Sequence, residues 1–256
     1  MTLSAAFLGA PLAHRALHDA ACGIPENGVT AVRNAVQAGY GIEIDVQLSA
    51  DGQAMVFHDA TLDRMTATTG PVRDRTARDL TQTRLTGSQE NIPTLATVLK
   101  IVDGAVPLLI EIKDQSGGIG EAEDHLERAV SAALDGYTGP VAVMSFNPYC
   151  VHAMREHAPH IPRGLTTCAF MPSQWPGLSS ATCASLRSIR SFGKVAASFI
   201  SHDWNDLGSP RVAELKAQGV PVLCWTVRNT QTEAEARRIA DNITFEGYMP
   251  PLDPHA

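Results

Sequence analysis

Residues 41–48 read Gly-Ile-Glu-Ile-Asp-Val-Gln-Leu, with two carboxylates alternating between branched aliphatic residues. Side chains alternate across a strand, so Glu43 and Asp45 share one face while Ile42, Ile44 and Val46 share the other. Residues 108–113, Leu-Leu-Ile-Glu-Ile-Lys, repeat the device and put Glu111 beside Lys113. Burying such acids without compensation is costly. A neighbouring Lys or Arg could answer any one of them, but three at strand ends favour a cation. Three oxygen ligands without cysteine suit a hard ion, Mg²⁺ or Ca²⁺, better than zinc, and leave positions open for substrate oxygens and water.

Two histidines stand where they could join these acids. His14-Arg15 ends a first aliphatic run, and His58-Asp59 ends the run that follows the Asp51-Gly52 turn signal. Cleaving a phosphodiester needs a base for the attacking oxygen and an acid for the departing one, and two imidazoles titrating near neutral pH can supply both. Arg15 could grip a phosphate through its planar fork, or form an ion pair at a rim, since neighbours on a regular strand face opposite ways. Among the nine histidines, His125, His152, His157, His160 and His255 fall on helical or loop segments without telling acidic partners, and His18-Asp19 reads as a surface loop.

The elements that must carry these residues alternate between short aliphatic runs and helix-period segments, the pattern of βαβ units and a parallel sheet. Eight runs qualify: Leu12–Arg15, Gly41–Leu48, Val106–Lys113, Val141–Phe146, Arg163–Thr167, Ala197–His202, Pro221–Val227 and Asn242–Gly247. Ser209-Pro210 opens one helix that Gly219-Val220-Pro221 closes, Thr230 and Glu233 have capping-box spacing, and Leu95, Val98, Leu99 and Val102 share a face behind Thr94. With no composition break and no glycine-rich dinucleotide fingerprint, the pattern predicts one closed (β/α)₈ TIM barrel over residues 1–256. A hairpin and insertion over residues 51–93 would cover the active-site face, since about thirty residues pass before the next helix, too many for a plain connection.

Composition narrows the function classes. Apolar residues make up 44% of the chain and charged residues 18%, enough for a large core. The net charge of −7 is diffuse. The one basic stripe, Arg187, Arg190 and Lys194, reads as a solvated helix face, so nucleic-acid binding is not expected. No apolar run is long enough to span a membrane, and residues 1–13 lack the basic start of a secretory signal. Five scattered cysteines, Cys22, Cys150, Cys168, Cys183 and Cys224, suggest reduced thiols and a cytoplasmic setting.

The motifs together resemble the glycerophosphodiester phosphodiesterase family, within the phospholipase C-like phosphodiesterase barrels, across nearly the whole chain. The resemblance rests on His14-Arg15, Pro25-Glu26-Asn27, Gly41 to Val46, Asp51-Gly52 and Val56-Phe57-His58-Asp59. It continues through Leu62, Arg64, Gly70 and Val72, then Ile92 to Leu95, Glu111-Ile112-Lys113, Ser145-Phe146 and Val222 to Val227 around Trp225. It implies that His14 and His58 are the acid/base pair, that Glu43, Asp45 and Glu111 bind one divalent cation, and that Arg15 and Lys113 contact the phosphate. Phe146 and Trp225 would touch substrate, with Glu26, Asn27 and Asp59 in support behind the reacting groups.

The implied reaction hydrolyses a small glycerophosphodiester to glycerol 3-phosphate and an alcohol, the glycerol hydroxyl attacking first to give a cyclic phosphate that water opens. His14 would be the first base and His58 the acid. Competing readings keep the barrel: a lysophospholipase D or cyclising phospholipase-type lyase would use an apolar groove near Phe146, Phe170, Met171, Trp175 and Trp225, and a non-catalytic phosphodiester-binding protein would have lost a catalytic group. Ala16, Gly28 and Glu246 depart from the family's usual glycine, hydroxyl residue and aspartate, which touches substrate preference more than reaction type.

Overall fold

A computed structural model describes residues 2–253. In chain order its strands are β1 (Leu12–Ala13), β2 (Gly41–Leu48), β3 (Ala54–Val56), β4 (Leu108–Ile112), β5 (Val141–Ser145), β6 (Arg163–Thr167), β7 (Phe199–Asp203), β8 (Val222–Val227) and β9 (Asn242–Phe245). They run β1-β9-β8-β7-β6-β5-β4-β2 around the sheet, and β1 pairs with both β2 and β9, which closes a parallel TIM barrel of eight strands. β3 is the extra strand, antiparallel on β2.

The helices are α1 (Val29–Ala38), α2 (Ala77–Leu80), α3 (Leu95–Val102), α4 (His125–Leu134), α5 (Pro148–His157), α6 (Ser180–Arg187), α7 (Pro210–Ala217) and α8 (Thr230–Ala236). Their apolar stripes pack on the outward face of the barrel, where Ile42, Ile44 and Val46 of β2 meet Ala31 and Val32 of α1 and Val98 of α3. The inward face begins apolar at the base. Leu12, Leu109, Ala142, Phe199 and Leu223 fill the lumen there, and Phe7 of an N-terminal 3₁₀ turn plugs it. Asn242 holds the plug, its Nδ2 donating to Phe7 O at 2.8 Å and to Ala10 O at 2.9 Å. A side chain at Gly164 would run into the Phe199 ring, so the absence of a Cβ there is what admits the phenyl group. Because period 2 carries the lumen face upward, Leu109 leads to Glu111 at the C-terminal mouth of β4.

Residues 51–93 form a compact flap with its own core, in which Met55, Phe57, Leu62, Val72, Leu80 and Ile92 pack together. The Asp51-Gly52 turn forms, with Gly52 at φ 78°, the left-handed region that glycine adopts freely. The stretch is not free of helix, since α2 and a 3₁₀ turn at Val72–Asp74 lie within it.

Several local expectations are corrected. The first strand stops at Ala13, because Arg15 and Ala16 take φ of 52° and 62° and the chain turns there. Pro25-Glu26-Asn27 lies before its helix, which starts at Val29. Ser209 precedes α7 without a side-chain capping bond, and α8 is capped by Asn229, whose Oδ1 accepts from Thr232 N at 2.8 Å. Glu233 turns instead to Arg237 and Tyr248. The basic stripe does not share a helix face, since α6 ends at Arg187. Thr94 does cap α3, accepting from Thr97 N at 3.1 Å. All five cysteines are free thiols, four of them buried. No helix among the described residues is long and apolar enough to cross a membrane. His255 lies outside the described residues.

Candidate active site

At the mouth of the barrel β2 and β4 place Glu43, Asp45 and Glu111 together, 2%, 1% and 6% exposed, with one oxygen of each within 4.8 Å of the others. The parallel register sets Asp45 directly beside Glu111. Lys113 lies at the same spot, its Nζ 2.7 Å from Asp45 Oδ1 and in contact with Glu111 Oε1. The lysine therefore answers two of the three acids. Glu43 receives only the backbone N–H of Arg15, at 2.9 Å, and makes no ion pair among the described residues.

Electrostatics follow that asymmetry. Burial, reinforced by the charges of Asp45 and Glu111, pushes the Glu43 carboxyl well above its ordinary range. Burial acts the same way on Asp45, but Lys113, His58 and Arg15 outweigh it and hold that carboxyl below its ordinary range. Lys113 is likewise raised despite burial, by Asp45 and then Glu111. Three converging oxygen donors, one of them left without a counter-charge, fit a hard divalent cation.

Asn27 is buried against this cluster, Nδ2 donating to Asp45 Oδ2 at 2.9 Å while Oδ1 accepts from Asp45 N at 3.2 Å. It fixes the Asp45 rotamer from behind. Arg15, at a left-handed backbone position, turns its guanidinium inward, with Nη1 2.8 Å from Glu26 Oε1 and Nε 3.6 Å from Asp45 Oδ2. The turn after β1 is what lets His14 and Arg15 reach the same cavity, which a continuous strand would forbid.

Each histidine has a carboxylate behind it. His14 Nδ1 is 2.7 Å from Glu246 Oε2, and His58 Nδ1 is 2.6 Å from Asp59 Oδ1. A carboxylate at Nδ1 fixes the ring and its tautomer and leaves Nε2 for chemistry. The carboxylates are in turn met by arginines. Arg64 binds Asp59 and reaches across to Glu26, with Nη2 2.7 Å from Glu26 Oε1, while Arg228 sits 3.4 Å from Glu246. Arg64 and then His58 pull Asp59 down to about 2, and His14 pulls Glu246 down to about 2. Burial, then Lys113, lowers the pKa of His58.

His14, Arg15, Glu43, Asp45, His58, Glu111, Lys113, Phe146 and Trp225 all line one cavity of about 270 Å³. Glu26, Asn27 and Asp59 stand outside it, each bonded to a residue that lines it. Phe146 meets Trp225 edge-on at 5.5 Å, and Phe170 and Trp175 pack behind Phe146; Met171 is 42% exposed and lies outside this lining. Sequence reasoning missed Asp203, Trp204 and Arg228 in the lining, and Glu246 and Arg64 behind the histidines. Asp203 had a signal, since it continues the alternation Phe199, Ser201 at the end of β7. Arg64 was visible only as a position of the family resemblance and Glu246 only as a departure from it; nothing local tied either to a histidine, since 232 residues separate Glu246 from His14 and Arg64 sits in irregular structure.

Comparison with known proteins agrees with this architecture. The sequence model of the glycerophosphoryl diester phosphodiesterase family matches residues 14–243. YhdW of Bacillus subtilis is 31% identical over 221 residues, covering 82% of this chain and 84% of that protein. A glycerophosphodiester phosphodiesterase of Caldanaerobacter subterraneus is 32% identical over 163 residues, covering 59% of this chain and 65% of that protein. In fold, the chain is similar to an Oleispira antarctica phosphodiesterase solved in complex with the product sn-glycerol-3-phosphate, with a TM-score of 0.75 and 24% identity over 91% of each chain.

Proposed function

This chain belongs to the glycerophosphoryl diester phosphodiesterase family, and from that premise we propose that it hydrolyses glycerophosphodiesters to glycerol 3-phosphate and a free alcohol, with one divalent cation. The observation that carries the reading is the pairing of His14 with Glu246 and of His58 with Asp59 around a single cavity that also holds the three carboxylates. The names of the relatives and the product bound by the Oleispira antarctica enzyme support the substrate class.

Glu43, Asp45 and Glu111 would hold the cation. When bound it supplies Lewis-acid stabilisation to a phosphoryl oxygen. The guanidinium of Arg15 and the ammonium of Lys113, both turned into the cavity, offset the remaining phosphate charge. His14 Nε2 accepts the proton of the attacking glycerol hydroxyl, and His58 Nε2 donates one to the alcohol oxygen as its bond to phosphorus breaks. Water then opens the cyclic phosphate with the two roles exchanged. Glu246 and Asp59 stabilise whichever imidazolium forms. The aromatic wall of Phe146 and Trp225 favours, as a second reading, a lysophospholipid taken by the same groups.

The test is a panel of glycerophosphocholine, glycerophosphoethanolamine and lysophosphatidylcholine with Mg²⁺ or Ca²⁺, each product identified by phosphorus NMR. Glycerol 3-phosphate is expected from the first two, chelator should abolish it reversibly, and His14→Ala or His58→Ala should lose on the order of 10²-fold or more in kcat. No turnover of either glycerophosphodiester with either ion, or undiminished rates in both variants, would overturn the reading.

A further inference from the structure

The wall facing the carboxylates carries a second set of groups that the hydrolytic step does not use. Around the ring β7 lies four strands from β2, and β8 four strands from β4, so their mouths face the acidic cluster across the lumen. Asp203 ends β7 and is the register partner of Trp225 on β8, which puts both side chains on one face. Trp204 follows at once in a 3₁₀ turn, and all three line the cavity with Phe146.

Trp225 Nε1 donates to Ser201 O at 3.0 Å, so the polar edge of the indole is spent on the barrel and its π surface is what remains for a ligand. The Phe146 ring stands at 80° to that indole. Asp203 Oδ1 accepts from Asn205 N at 3.0 Å and Nδ2 at 2.8 Å. Its other oxygen takes no hydrogen bond, and Asp203 makes no ion pair, among the described residues. Arg228, the cation on this side of the cavity, is 60% exposed and leans toward Glu246 on the β9 side, away from β7. The wall therefore joins aromatic faces to a carboxylate without a counter-ion, which is the chemistry that recognises an organic ammonium.

Resting on the hydrolytic reading above, we propose that Asp203, with Trp225, Trp204 and Phe146, forms a subsite for the ammonium group of the departing alcohol, so that the preferred substrates carry a cationic head group. The phosphate is held on the β1, β2 and β4 side by Arg15 and Lys113, and the alcohol extends across the lumen. A quaternary ammonium gains from the ring faces without needing hydrogen bonds, and the open oxygen of Asp203 supplies the counter-charge. An uncharged alcohol gains neither.

Two measurements test this on the full-length, metal-loaded protein. Tryptophan fluorescence is titrated with choline and with its uncharged isostere 3,3-dimethyl-1-butanol, and kcat/KM is compared for glycerophosphocholine and glycerophosphoglycerol in the wild type and in Asp203→Asn, which keeps the capping oxygen. Choline should bind roughly tenfold more tightly than the isostere, and the choline-to-glycerol ratio of kcat/KM should fall by a similar factor in the variant. Equal binding of choline and isostere overturns the subsite whether or not the variant folds. So does a variant that slows both substrates alike, which would place the common glycerol group there. A wild-type protein inactive on every glycerophosphodiester, yet still preferring choline to its isostere, would remove the hydrolytic reading and sustain the subsite.

Discussion

Arg64 holds Asp59 through two parallel contacts, Nε to Oδ2 at 2.6 Å and Nη2 to Oδ1 at 2.9 Å. The same guanidinium binds both oxygens of Glu26, at 2.7 and 2.9 Å. Asp59 positions His58 and Glu26 positions Arg15. One side chain from the flap thus locks a histidine of the flap against an arginine of the barrel.

Arg64→Ala should therefore lower kcat by about one to two orders of magnitude, because it frees two supporting carboxylates at once and small misplacements of reacting groups are costly. Arg64→Lys keeps the charge but not the fork and should recover only part of the rate. Folding should change little, since the side chain is 46% exposed and exposed ion pairs contribute on the order of 1 kcal/mol or less. Steady-state kinetics beside thermal melts check this. Wild-type kcat in Arg64→Ala would show that Asp59 and Glu26 hold their places without it.

The residues that alternation could reach were legible in the sequence. Glu43, Asp45 and Glu111 lie on regular strands and Lys113 directly follows β4, so period 2 fixes the face and the aliphatic neighbours fix which face is outside. The barrel followed from counting such runs. His14 and Arg15 were legible as residues but not in their geometry, because their shared direction depends on left-handed backbone at Arg15 and Ala16, which nothing in residue type signals. The arginine and glutamate come to stand behind the histidines only when β9 closes on β1 and Arg64 of the flap reaches Glu26 in the segment before α1, contacts between distant segments that no local pattern encodes.

Glu43→Gln separates the metal reading from a purely structural one. Removing one anionic donor should weaken binding of Mg²⁺ or Ca²⁺ at least tenfold, a loss of about the size seen when even an outer partner of a metal site is removed. Without metal the same change should leave the melting temperature equal or higher, because burial and the charges of Asp45 and Glu111 already disfavour the ionised form of Glu43. Calorimetric titration and metal-free melts give the two readouts. Unaltered metal affinity would take Glu43 off the ligand set.

Glu246 gives the pH-dependent prediction. Its carboxyl is pulled down to about 2 in the folded protein, first by the hydrogen bond from His14, from the ordinary glutamate value of 4.5 in the unfolded chain. The unfolded state therefore binds more protons between those values, and stability rises with pH across that window. The contribution is complete above about pH 5 and gone below about pH 2, where both states are protonated. Its size should be about 1 kcal/mol, because Glu246 and His14 keep 27% and 15% of their side-chain surface in water and solvent screens the pair. Urea unfolding of wild type and Glu246→Gln at a series of pH values should show a gap that is steady from pH 7 to 5 and narrows toward pH 2. A gap that stays constant down to the acid limit would mean that Glu246 stabilises the fold by packing and not through its charge on His14.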